Sequence, residues 1–301
     1  MLSMKVLLIY YTGTFNTRYL TEKIKERFIM RGDSVDTVEI NAKTPPCDTF
    51  QYDLIGFSYP IYGFNAPLPF DKYVKKLKFN KGQKFFIYKN SGEVLAMNNA
   101  SSRILLSTME KRGGIFTGEY HFVMPYNIHF PYERDFIRQI FENNSKLADI
   151  MMHNLSNGIV KKINCNLIYK IGAFFVGIQK IGGNVNSFFY SVDKDKCINC
   201  NKCIKNCPHD NIYVKDGKIK FHHHCDMCMR CSFYCPTNAI NIGLLQSWRV
   251  NGAYDFKGIE EDTSPITPYI TKDSKGFYKC FIKYFEDIEN DHAKIFGGET
   301  R

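Results

Sequence analysis

Two cysteine runs, each closed by a proline, constrain this chain more than any other feature. The first reads CINCNKCIKNCP, from Cys197 to Pro208, and the second CDMCMRCSFYCP, from Cys225 to Pro236. In each run three cysteines stand with two residues between neighbours, and a fourth follows after three more. Cys197 and Cys225 lie 28 positions apart, as do Cys207 and Cys235, and Ile212 and Ile240 share that offset. A unit duplicated in tandem therefore holds eight of the 11 cysteines.

Three closely spaced thiolates can wrap three corners of an iron–sulfur cube, and the fourth corner needs a sulfur from elsewhere. The runs resemble bacterial-type ferredoxins, in which the cysteine before the proline supplies that sulfur to the other cluster. The resemblance implies two [4Fe–4S] clusters. Cys197, Cys200 and Cys203 with Cys235 would ligate one, and Cys225, Cys228 and Cys231 with Cys207 the other. Paired CxxC spacings also make zinc ribbons, but the third cysteine, the Cys-Pro ending and the duplication argue against zinc. No secretory signal precedes the runs, so a disulfide framework is disfavoured. Cys47, Cys165 and Cys280 read as small apolar residues in a reducing cytoplasm.

The 301 residues, 44% hydrophobic and 23% charged, have ordinary globular composition and suggest two domains. The most apolar internal run, residues 171–179, is too short to span a bilayer, so no membrane insertion is expected. The formal charge of +10 counts thiols as neutral; two clusters and one phosphate would bring it to roughly +4. Nucleic acid is not an expected partner, and no nucleic-acid motif appears. Residues 156–241 carry 12 Lys and Arg against 5 Asp and Glu, a basic surround suited to an acidic redox partner.

Ahead of the cysteines, strands alternate with helices. MKVLLIYY at 4–11 is a near-continuous apolar run, as in a buried parallel strand. Thr12–Thr17 follow, then a helix from about Arg18 to Gly32. Small hydroxyl and glycine residues between a strand and a helix N-terminus suit a phosphate group. Further strands are expected at 33–40, 53–58, 84–88 and 119–124, with helices at 66–79, 98–112 and 133–157. Five strands so connected predict a parallel, doubly wound sheet, with ligands at the strands' carboxyl ends.

Residues 4–158 resemble flavodoxins. That family's phosphate loop is matched by Thr12-Gly13-Thr14-Phe15-Asn16-Thr17, with Phe15 where the family has glycine. Its loop beside the flavin ring is matched by Pro60-Ile61-Tyr62-Gly63, and a further loop loosely by Asn90-Ser91-Gly92. The resemblance implies bound FMN. Taken whole, the chain resembles flavodoxin–ferredoxin fusion proteins of anaerobic bacteria. It implies an α/β flavodoxin-like domain at 1–158 and a small α+β ferredoxin-like domain at 196–242.

An apolar connector at 159–195 is expected to dock the two, through Phe174, Phe175, Phe188, Phe189 and Tyr190. In the tail, 243–301, Phe277, Phe281, Phe285 and Ile288 recur at helical spacing. His222, His223 and His224 read as a solvated stretch, with proton coupling to a cluster as the alternative. The expected function is electron transfer between redox proteins. The alternatives are FMN-dependent reduction of a small molecule such as a quinone, nitro compound or flavin, and a redox sensor. TGTFNT lacks the G-x-G-x-x-G spacing of dinucleotide sites, so no direct NAD(P)H site is expected.

Overall fold

The computed structural model describes residues 3–177, 179–250 and 252–297. Strand β1 (Lys5–Tyr11) leads into α1 (Asn16–Met30), β2 (Ser34–Ile40), β3 (Leu54–Ser58), α2 (Leu68–Lys76) and β4 (Lys84–Ser91). A 3₁₀ segment at Ala96–Ser102 then runs into α3 (Arg103–Lys111), followed by β5 (Ile115–Val123) and α4 (Arg134–Ser156). The strands pair in parallel in the order β2-β1-β3-β4-β5. That is the flavodoxin-like arrangement, whose ligand site lies where the order reverses between β1 and β3. Val6 to Tyr11 are all buried, because helices cover both faces of a doubly wound sheet. On one face Phe57, Phe85 and Ile87 pack with Phe70, Leu105 and Met109. On the other Leu8, Phe86 and Tyr88 pack with Ile24, Phe28, Leu147 and Met151.

After α4 come α5 (Leu167–Val176), α6 (Gln179–Ser187) and β6 (Tyr190–Val192). Next are α7 (Lys202–Lys205), β7 (Ile212–Lys215), β8 (Lys218–Phe221), α8 (Arg230–Phe233) and β9 (Ile240–Ile242). β6 pairs with β9 and β7 with β8, both antiparallel. Asp216 and Gly217 make the β7–β8 turn with φ of 51° and 67°, the left-handed pair that a tight hairpin requires. The duplication reaches the backbone. Asn199, Asn201 and Asp210 have φ of 52°, 57° and 50°; Met227, Met229 and Asn238, each 28 positions on, have 49°, 62° and 54°.

The tail forms α9 (Phe256–Glu260) and α10 (Lys279–Phe296). Phe281 and Phe285 of α10 pack on Phe136 and Ile140 of α4, with Ile259 and Ile270 beside them. Ile288 reaches the sheet's own core.

The connector touches both halves, but not through the aromatics that the sequence suggested: Asn65 Nδ2 meets Ala173 O on one side and Asn186 Nδ2 meets Ile242 O on the other. Phe174, Phe175, Phe188 and Phe189 are all more than half exposed; among the named aromatics, Tyr190 alone is buried, within the small domain. The connector instead lies along the sheet through backbone and amide bonds. Glu119 N–H donates to Lys161 O at 2.9 Å, Asn99 Nδ2 to Asn164 O at 2.9 Å, and Asn65 Nδ2 to Ala173 O at 2.9 Å. No helix among the described residues is long and apolar enough to cross a membrane.

Candidate cluster and cofactor site

The cysteines border two small cavities. An inner one is ringed by Cys225, Cys228 and Cys231 with Cys207, and an outer one by Cys197, Cys200 and Cys203 with Cys235. Helices α7 and α8 pack together, so each carries the cysteine that follows it across to the opposite cavity. Backbone N–H groups point at the crossing sulfurs in both copies: Asn211 N to Cys207 Sγ at 3.3 Å, and Ala239 N to Cys235 Sγ at 3.2 Å. Burial pushes the thiols of Cys203 and Cys228 up to about 11 and that of Cys225 to about 12. Such sulfurs are stable as thiolates only with cations among them, which iron supplies. The donor set fits a polynuclear centre. Cys228 is buried, whereas Cys200 is exposed.

A third cavity, of about 640 Å³, opens at the carboxyl ends of β1, β3, β4 and β5. Of the residues expected there, Gly13, Thr14, Asn16, Thr17, Pro60–Gly63 and Asn90–Gly92 line it. Thr12 and Phe15 do not. Thr17 Oγ1 donates to Asn90 Oδ1 at 2.7 Å, and Asn16 Nδ2 to Pro125 O at 2.7 Å, so loops from three strands are tied together. Thr12 Oγ1 is fully buried with no hydrogen-bond partner among the described residues. A buried hydroxyl without a partner is costly, and a phosphate at the start of α1 is a chemically suitable acceptor. The loop fits the group.

Sequence reasoning did not single out Asn127, which donates from Nδ2 to Thr14 Oγ1 at 2.9 Å. Nor did it single out Trp248 and Leu244, at the cavity's apolar rim, or Met229, which borders both this cavity and the inner cysteine cavity.

Arg230, between Cys228 and Cys231, is the largest omission. It is buried, and its guanidinium donates to Thr12 O at 2.6 Å, to Gly13 O, and to Asn206 O at 3.2 Å. Its approach explains Phe15. That residue has φ 67°, where a side chain costs roughly 1–2 kcal/mol relative to glycine. Its ring lies 4.4 Å from both the Arg18 and Arg230 guanidinium carbons and 5.2 Å from the Tyr234 ring. Cation–π contacts of this kind offset the backbone term. Phe15 therefore packs against the small domain and not within the large cavity.

Of the three consecutive histidines, His222 stacks on Tyr213 at 4.2 Å and His223 on Phe188 at 3.6 Å. His224 donates its backbone N–H to Asn211 Oδ1 at 3.1 Å. All three are exposed.

Beside the large cavity, Ser91 Oγ and His121 Nε2 are 2.6 Å apart. Burial, then the nearby Lys89 ammonium, push His121 down to about 3. Unfolded histidine titrates near 6.5, so between these values the unfolded chain binds the extra proton. Stability from neutral His121 is complete above about pH 6.5 and falls as pH drops towards about 3, by at most about 1.4 kcal/mol per pH unit. Urea unfolding across that range should show this slope, and His121→Gln should flatten it.

The fold and site define a class: a flavodoxin-like α/β domain docked onto a small domain built around two cysteine cages. A family model for the 4Fe-4S binding domain matches residues 190–213. An uncharacterized ferredoxin of Methanocaldococcus jannaschii is 38% identical over 60 residues, 18% of this chain and 78% of the ferredoxin. Pyruvate synthase subunit PorD of Methanothermobacter marburgensis is 38% identical over 60 residues, 20% of this chain and 72% of that subunit.

Among solved structures, a flavodoxin of Streptococcus pneumoniae aligns at TM-score 0.39 and 14% identity, over 51% of this chain and 98% of its own. General stress protein 14 of Treponema denticola, solved with FMN, aligns at TM-score 0.38 and 14% identity, over 51% and 99%. The fold assignment rests on the strand order. Through its cysteine-rich module the chain belongs to the ferredoxins, and a domain of flavodoxin-like fold stands ahead of that module.

Proposed function

We propose that the protein is an electron carrier, holding FMN in the large cavity and a [4Fe–4S] cluster in each cysteine cavity. One observation carries this: the inner cysteine cavity and the large cavity share a wall. Met229 borders both, and a Cβ on Gly13 would lie 3.0 Å from Cys228 O. Bound there, clusters exchange single electrons and a flavin one or two. The chain supplies binding and insulation. Thr14, Asn16, Thr17 and the N–H groups at the start of α1 would hold the phosphate, with Thr12 Oγ1 buried just behind them. Pro60–Gly63 and Asn90–Gly92 border the ring, with Tyr126 closing over Gly92. Exposed Cys200 and Ile198 mark the outer cage as the point of exchange with other proteins. Lys194, Lys196, Lys202 and Lys205 are exposed around it, which suits an acidic partner. The unpaired thiols fit a reducing cytoplasm.

Under strict anaerobiosis, a low-potential one-electron donor should bleach the flavin rapidly. NADH and NADPH should do so slowly or not at all, because hydride transfer needs a nicotinamide held in contact with the flavin. Fast reduction by NAD(P)H in stopped flow overturns the carrier reading. A second reading, reduction of a small apolar molecule at the flavin, is favoured by the rim, where Leu95, Leu244 and Trp248 are exposed. Multiple turnovers with a quinone or nitro compound would decide for it.

A further inference from the structure

We infer that the inner cysteine cage builds the phosphate loop, so that FMN binds tightly only when that cage holds its cluster. The inference deepens the reading above and rests on it. Its physical basis is a run of carbonyls. Thr12 O and Gly13 O both accept from the Arg230 guanidinium, and Thr14 O accepts from Tyr234 Oη at 3.0 Å. Three consecutive loop carbonyls are thus held by residues 230–234. Phe15, next in line, is held in its left-handed conformation between Arg18, Arg230 and Tyr234. With carbonyls drawn towards the small domain, the loop's Thr14, Asn16 and Thr17 are left to line the cavity.

Arg230 and Tyr234 stand at the two ends of a short element threaded through the inner cysteine cage. α8 is four residues long and lies between Cys228, Cys231 and Cys235. Met229, just before it, sits at φ 62°, a conformation unfavourable for methionine. A segment this short does not hold its shape alone, and metal ligation is what organises such a turn. Iron loss therefore releases Arg230 and Tyr234, and with them the loop. Linkage makes the effect reciprocal: FMN must protect the inner cluster from loss to the same degree. Arg230 and Tyr234 are positioning residues; neither lines the large cavity.

The test is equilibrium dialysis of FMN, and of riboflavin as a phosphate-free control, against cluster-loaded and iron-stripped full-length protein under anaerobiosis. FMN affinity should fall at least about tenfold on iron removal, the scale of losing hydrogen bonds to a charged group, and riboflavin affinity much less. Tyr234→Phe and Arg230→Met, each with iron and sulfide measured, should weaken FMN while the clusters are retained. Should Arg230→Met lose its inner cluster, Tyr234→Phe decides. Phe15→Gly removes the need for the clamp, so its FMN affinity should depend less on iron than that of the wild type. Equal FMN affinity with and without iron, or unchanged affinity in Tyr234→Phe with full clusters, overturns the inference alone. Failure of the cluster-loaded wild type to bind FMN overturns the parent reading as well.

Discussion

Cys207→Ala is expected to abolish the cluster held by Cys225, Cys228 and Cys231, leaving the cluster nearer in sequence intact. Cys235→Ala should do the converse. The reason is the crossing carried by the packed helices α7 and α8, which places each run's fourth sulfur in the other run's cavity. A cube short of one thiolate loses a corner ligand in a cage where burial already disfavours charge. Iron and sulfide should fall from about eight of each to about four in either variant. The two should differ in what remains. Cys207→Ala should keep a solvent-exposed cluster that small oxidants reach. Cys235→Ala should keep an enclosed one beside the large cavity. Anaerobic electron paramagnetic resonance with iron analysis distinguishes them. Loss of the cluster belonging to the mutated run's own triplet would refute the crossing.

The second large effect concerns stability. Lys89 is 0% exposed and Glu119 2%, and their charged groups lie 2.7 Å apart beside the end of β4 that bears Asn90 and Ser91. Lys89 also donates to Asn98 O at 3.0 Å. Glu119→Gln should destabilise the protein by about 3–5 kcal/mol, since it leaves an ammonium buried without its counter-charge. Burial already lowers the Lys89 pKa, and Glu119 opposes that shift; removing the carboxylate lowers it further. The folded variant then holds fewer protons than its unfolded chain below the ordinary lysine pKa, so its stability should climb as pH rises from neutrality towards about 10. Lys89→Met with Glu119→Leu should recover most of the loss. Urea unfolding of the two variants at two pH values checks both statements. An additive double variant would mean the pair is not coupled.

The chain's sequence made some of this legible and concealed the rest for physical reasons. The grouping of Cys207 with Cys225, Cys228 and Cys231, and of Cys235 with Cys197, Cys200 and Cys203, is what the resemblance to bacterial-type ferredoxins implies, and the two cysteine cavities are bordered by those sets. β1, β3 and β4 were legible because strands buried on both faces carry no polar alternation, as in LLIYY and LIGFS. The start of the helix expected at 98–112 was misplaced. Asn98 Nδ2 donates to Glu93 O at 3.1 Å and to Ser91 Oγ at 3.3 Å, and the chain there runs as 3₁₀ turns before α3. Local side-chain bonds of this kind compete with helix propensity.

The domain contact was the least legible part. Arg230 stands in the second run where exposed Lys202 stands in the first, and nothing in CDMCMRC says that one is buried against loop carbonyls and the other solvated. The connector aromatics misled in the opposite sense, because apolar character records a preference for burial and not its partner. Phe15 was legible as an anomaly, but its compensation by Arg18, Arg230 and Tyr234 joins residues more than 200 positions apart as well as a near neighbour.

The repeat of left-handed positions bears on how the two copies have been free to change. Asn199 and Asn201 occupy two of them in the outer copy, where asparagine tolerates the conformation and solvates its amide. Met227 and Met229 occupy the equivalents in the inner copy, where the same dihedrals are kept and the side chains enter an apolar wall. The two copies of one unit thus meet different surroundings: one the aqueous surface, the other a neighbouring domain. Their side chains differ to match, while the backbone plan is common to both.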